Sequence, residues 1–146
     1  MKDISNDIIG AAIEVHKALG PGLLENCYQK ALAYELTLRG HNVKTEGKVP
    51  IMYKGVDLSD TMDGNHALRY DMVVDDCIVI ELKSAEELKP VHFKQLLTYL
   101  RFLHIPIGLL FNFNVNNLMR EGFGRVVSGY TENSEKPNEQ FDEKYV

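Results

Sequence analysis

The sequence predicts a mixed α/β domain in which helices flank a central mixed β-sheet. Two stretches with apolar residues at helical spacing open the chain, and a run of short strand-like segments follows. One further helical stretch then separates that run from a last buried strand. In 146 residues this makes one domain, placed at 1–129. Residues 130–146 form an acidic tail whose composition fits a disordered terminus.

Ile4, Ile8, Ala11, Val15 and Leu19 recur at helical spacing, widened by Ile9 and Ala12. Gly20-Pro21-Gly22 ends this helix, because glycine accepts left-handed geometry and proline cannot continue a helix. A second helix is expected from Leu24 to Arg39, with Tyr28, Ala31, Leu32 and Leu36 turned inward and Gly40 stopping it. Val43 to Tyr53 then alternates loosely, Lys54-Gly55 turns the chain, and Val56 to Leu58 pairs back. Ser59 to Asn65 is polar and contains glycine, as a loop would be. Leu68 to Val74 and Ile78 to Lys83 are strands around Asp75-Asp76-Cys77. Pro90 suits a first helical turn and opens a helix to His104. Pro106 precedes a buried strand, Ile107 to Phe111, and Gly122 to Val127 fits a last strand or short helix.

Hydrophobic content of 45% and charged content of 25% are those of an ordinary globular domain. The two cysteines, Cys27 and Cys77, form no ligand pair and are too few for a four-thiolate cluster. They suit free thiols in a reducing cytoplasm, the expected location. No apolar run spans a bilayer, and no basic segment followed by an apolar core marks the N-terminus for export. The net charge of −5 argues against a tight nucleic-acid coat protein, although much of the acid lies beyond Thr131.

The hairpin carries the chemistry. With a three-residue loop, Val74 faces Ile78 and Asp71 faces Glu81. Tyr70, Met72, Val74, Ile78, Ile80 and Leu82 then lie on one side, with Asp71, Val73, Val79, Glu81 and Lys83 on the other. Opposed residues have Cβ atoms roughly 4.5–5.5 Å apart, so the two carboxylates repel unless a cation lies between them. Mg²⁺ fits that requirement, since it binds through one or two carboxylates, retained waters and substrate phosphate. The backbone carbonyl of Leu82 offers another oxygen. Lys83 is placed to orient water or to neutralise charge on a phosphate. An Asp and a Glu-x-Lys are also common on solvated strand faces, so the residues that follow matter.

Gln95 and Tyr99 share a helical face with His92 and Phe102, where glutamine and phenol can hold a phosphate oxygen or water. The same face is compatible with a buried Tyr99 and a peripheral Gln95. Glu25 lies in the first turn of the second helix, where a carboxylate also meets the helix dipole favourably. His16 is a further supporting candidate, with packing or capping as its ordinary role.

Gly22-Leu23-Leu24-Glu25-Asn26-Cys27-Tyr28, preceded by Val15 to Pro21, resembles the signature of the GxxExxY protein family, which is placed in the PD-(D/E)XK nuclease superfamily. The likeness runs from Ile4 to Val127. It implies a restriction-endonuclease-like core of helix, three mixed strands, helix and strand (αβββαβ). Asp71 takes the place of the motif aspartate, and Glu81 and Lys83 that of the Glu-x-Lys element. Gln95 and Tyr99 match the QxxxY motif of RecB-like nucleases, and Glu25 matches an acidic residue supplied by the first core helix, with Tyr28 beside it. Arg69-Tyr70-Asp71 lacks the proline of the superfamily name.

These readings point to a phosphodiester hydrolase dependent on Mg²⁺ or Mn²⁺, with DNA as the expected substrate. Asp71, Glu81, Lys83 and Gln95 would be catalytic. Asp71, Glu81, the Leu82 carbonyl and Glu25 would be available to metal, and Glu25, Tyr99, His16 and Tyr28 would support the site. The alternative is a non-catalytic nucleic-acid- or protein-binding module that keeps the fold. Specificity supplied by a homodimer or by a partner protein is a further possibility.

Overall fold

The computed structural model describes residues 3–59 and 68–128, and residues 139–141 as backbone alone. The two expected N-terminal helices are α1, Ser5–Leu19, and α2, Glu25–Leu38. Their apolar stripes face the same way: Ile8, Ala11, Ala12 and Val15 from α1 join Tyr28, Leu32 and Leu36 from α2 in one cluster. Hydrophobic burial of these stripes, rather than capping, holds the pair, since neither helix has a side-chain cap hydrogen bond.

β1 is Val43–Lys48; β2, Met52–Tyr53, and β3, Val56–Asp57, pair as a small separate hairpin. The latter turns at Lys54-Gly55, both at positive φ. β4 is Arg69–Val74, β5 Ile78–Lys83, α3 Pro90–Leu103 and β6 Ile107–Asn112. A four-residue helix, α4, Leu118–Glu121, comes before β7, Phe123–Ser128, and β8, Glu139–Phe141. The main sheet has the order β1-β4-β5-β6-β7-β8. All pairs are antiparallel except β5–β6, which the crossover helix α3 makes parallel.

Both faces of this mixed sheet are covered. Met72, Val74, Ile78, Ile80, Leu82, Leu109 and Phe111 meet α1 and α2, while Val73, Val79, Leu110 and Val126 meet Phe93, Leu96, Leu97 and Leu100 of α3. That explains why β5 reads as a continuous apolar run.

The structure departs from the sequence expectations at several points. Tyr70 does not join the Met72 side; it packs with the α3-side cluster, over Gly47, where a Cβ would lie 2.0 Å from the tyrosine ring. Regular pairing is interrupted there. Glu46 has φ 54°, and the β1–β4 ladder passes from Thr45↔Met72 to Gly47↔Tyr70 without a rung at Asp71. Residues 122–127, open to strand or helix on sequence, belong mainly to a strand, preceded by the helical turn α4. Residues 139–141, in the acidic tail, form an edge strand against β7. Most of the polar stretch expected as a loop, from Asp60 onward, lies outside the described residues. No described helix is long and apolar enough to cross a membrane.

Candidate active site beside the β4–β5 hairpin

The three-residue turn sets the register: Val74 pairs with Ile78, Val73 with Val79 and Met72 with Ile80. Asp75 and Asp76 both take positive φ at that turn, a geometry that short Asx side chains tolerate. One rung beyond Met72, the ladder gives way to side chains. The Asp71 backbone N–H donates to Glu81 Oε1 at 3.0 Å, and the Leu82 N–H donates to Asp71 Oδ2 at 2.8 Å. Asp71 and Glu81 are therefore brought together, in the arrangement the register requires.

Glu81 is 4% exposed, and burial beside Asp71 pushes its carboxyl up to about 9. Asp71 is also raised, first by burial, against the pull of the Leu82 N–H, its hydrogen bond with Glu81 and the charge of Lys83. Burial and the negative charge of Asp71 together favour the neutral form of Glu81.

Lys83 lies at the end of β5, half-buried, and its ammonium makes no hydrogen bond or ion pair among the described residues. Its charge nevertheless acts on Asp71, Glu81 and Glu25. Glu25 is raised by desolvation and by Asp71, and lowered by Lys83, so the first turn of α2 reaches the same end of the hairpin. From α3, Tyr99 is 3% exposed and feels the charges of Glu81 and Asp71. Gln95 Nε2 donates to the Tyr99 hydroxyl at 2.9 Å, which leaves the phenolic hydrogen free to serve an acceptor.

Tyr28 and His16 make contacts that tie elements of the fold together. Tyr28 stacks on Phe113 with ring centroids 4.5 Å apart. Its hydroxyl donates to the Gly20 carbonyl at 2.5 Å and accepts the Leu23 N–H at 3.1 Å. Ser84, immediately after Lys83, donates to the Leu23 carbonyl at 2.7 Å. Glycines at φ 69° and 102°, Gly20 and Gly22, let the chain make this turn. The loop entering Glu25 is thereby tied both to its own helix and to the exit of β5. The His16 Nε2–H donates to the Val115 carbonyl at 2.7 Å, joining α1 to the segment after β6.

The sequence reading missed three contributors. Glu46, opposite Asp71, adds negative charge to the pair. Asn112 is fully buried; its Oδ1 accepts from the N–H groups of Ala85 and Asn114, and its Nδ2 donates to the Ala85 carbonyl, fixing the chain after Lys83. His92 lies near enough to Lys83 to be affected by its charge. Only the helical spacing of His92 to Gln95 and Tyr99 was visible beforehand.

The donor set accommodates a hard divalent ion in a limited way. Among the described residues no group of three or more His, Cys, Asp or Glu side chains is gathered to hold a metal, so the protein offers the Asp71–Glu81 pair. Lys83 directs its carbonyl to the Phe113 N–H near β6. Strand alternation therefore turns the Leu82 carbonyl toward β4, past the last paired rung. Two carboxylates and one carbonyl match what Mg²⁺ takes from protein, with water and phosphate completing its shell.

A family model described as the PD-(D/E)XK nuclease superfamily matches residues 2–126. The chain belongs to that superfamily. Proteins of the PD-(D/E)XK superfamily generally use divalent metal ions and act on nucleic acid. No curated protein and no solved structure gives a significant match to the chain.

Proposed function

We propose that this PD-(D/E)XK protein is a metal-dependent phosphodiester hydrolase, acting on DNA through Asp71, Glu81 and Lys83. The observation that carries the reading is a pair of carboxyls, Glu81 buried and Asp71 half-buried, each fixed by a backbone N–H of the facing strand, with an ammonium group that has no partner among the described residues acting on both. Burying two adjacent acids is unfavourable for folding, and a cation with a phosphate relieves it.

When bound, Mg²⁺ or Mn²⁺ would neutralise the pair and supply Lewis-acid polarisation of the phosphate. Asp71, fixed by the Leu82 N–H, and Glu81, fixed by the Asp71 N–H, would hold the ion with the Leu82 carbonyl. Glu81 must lose its proton for this. Lys83 would approach the phosphate and offset the charge that builds on its oxygens. Tyr99, oriented by Gln95, would donate its hydroxyl hydrogen to an acceptor in the site. Glu25 would act from across the pocket, through water, because it joins no three-carboxylate cluster. The finer likeness to GxxExxY proteins rests on the same loop: Gly22 for its turn, Glu25 for its charge and Tyr28 for its anchor.

Cleavage of plasmid, single-stranded DNA and RNA, with Mg²⁺, Mn²⁺ or chelator, tests the proposal. Glu81→Ala and Lys83→Ala should each lower cleavage by at least about a hundredfold, as loss of a charge-stabilising group does. Cleavage that survives both substitutions, or that persists in chelator, refutes the site. Association with nucleic acid that is independent of metal and unaccompanied by cleavage would instead identify a binding module.

A further inference from the structure

The α3 face that delivers Gln95 and Tyr99 carries a third polar group, His92, one helical turn before Gln95. Its Nδ1 accepts the backbone N–H of Lys89 at 3.0 Å. A ring nitrogen that accepts holds no proton, so the neutral imidazole carries its hydrogen on Nε2. This Nε2–H has no hydrogen-bond partner among the described residues, and the ring is only half-buried. Burial first, then the charges of Lys83 and Lys89, act against a second proton. The side chain is therefore a fixed neutral donor, with no free lone pair for service as a base.

A helix-capping role uses Nδ1 alone and leaves Nε2–H idle on the α3 face that also carries Gln95 and Tyr99, within range of the charge of the unpartnered Lys83. A donor and a cation together match an acceptor that is also an anion. Resting on the nuclease reading above, we infer that His92 Nε2–H binds a non-bridging phosphate oxygen of the polynucleotide, next to Lys83. Lys83 supplies charge there, and His92 supplies direction.

Three variants separate binding from capping. Glutamine and glutamate at this helical position can accept the Lys89 N–H as histidine does, whereas leucine cannot. For His92→Gln, His92→Glu and His92→Leu, melting of the free protein should follow capping, with the leucine variant lowest. Affinity for a short fluorescent oligothymidylate in Mg²⁺ should follow the donor instead. Leucine should lose about two- to tenfold, the range of one neutral hydrogen bond. Glutamate should bind worst of all despite normal melting, and glutamine should lie between leucine and wild type. In ¹⁵N-labelled wild type, the His92 Nε2–H resonance should move downfield on adding the oligonucleotide.

If the glutamate variant binds like wild type, or affinity simply tracks melting, the inference is overturned, and undiminished cleavage leaves the nuclease reading intact. If wild type binds without cleaving and the variants keep the expected order, His92 stands and the hydrolase reading falls. If wild type neither binds nor cleaves, both fall.

Discussion

Glu81 shows how one residue links stability to function. Its carboxyl is raised from an ordinary 4.5 to about 9, so the folded chain holds a proton that the unfolded chain releases. Stability from this group is complete below its ordinary value and is lost as pH rises toward its folded value. In metal-free protein, Glu81→Gln should leave melting nearly unchanged at about pH 5 and raise it by several degrees at about pH 8. Adding Mg²⁺ should raise the melting temperature of wild type, increasingly so with pH, because the ion binds the deprotonated pair. It should leave Glu81→Gln almost unmoved. Thermal scans at two pH values measure both effects, and a Glu81→Gln variant stabilised by Mg²⁺ as strongly as wild type would remove Glu81 from the metal site. Which residues meet was legible from loop length and alternation. That Glu81 would be nearly sealed from water while Asp71 stays half-buried was not, because the covering helix α3 lies beyond the hairpin in sequence.

At the scale of elements, the loop from Gly20 to Leu24 decides where Glu25 stands. Its two glycines and Pro21 were readable as a helix stop, but the two hydroxyls that hold it come from outside the loop, one of them Ser84, 61 residues from Leu23. Tyr28→Phe removes one anchor and keeps the stacking on Phe113; Ser84→Ala removes the other. Each should cost about 1 kcal/mol, or about 2–5 °C of melting temperature. The double variant should lower cleavage several-fold more than its melting loss accounts for, since Glu25 is then less well placed. Full cleavage at a temperature where the double variant is folded would show that the loop supports the fold and does not position Glu25. The same limit explains the misplacement of Tyr70. Alternation carries no sign of a backbone that turns at Glu46, and only the close approach to Gly47 reveals it.

Across the whole molecule, the existence and chain order of most helices and strands follow from patterns within single segments. The contact that closes the far end does not. His41, after α2, lies between Asp7 of α1 and Asp75 of the β4–β5 turn, at 2.5 and 2.6 Å. Arg39 binds Asp7, Glu14 and Glu35 beside it, and Asp75 also accepts the Asn42 N–H. Separations of 34 residues on either side of His41 put this bridge out of reach of any local pattern. His41 is raised by Asp75 and then Asp7, while both aspartates are lowered. The histidine contribution is full below its ordinary 6.5 and disappears as pH rises through its higher folded value. The aspartate contribution is full above 3.8 and disappears as pH falls through their lower folded values. The bridge is therefore complete in mildly acid solution. His41→Gln should lower melting by a few degrees at about pH 5.5, and the difference from wild type should shrink by about pH 9. Asp75 lies four residues from Asp71, roughly 13 Å along a strand, so this loss should add to the effect of Glu81→Gln and should not change with Mg²⁺. A Mg²⁺-dependent penalty for His41→Gln would mean that the two ends of the hairpin communicate through the sheet.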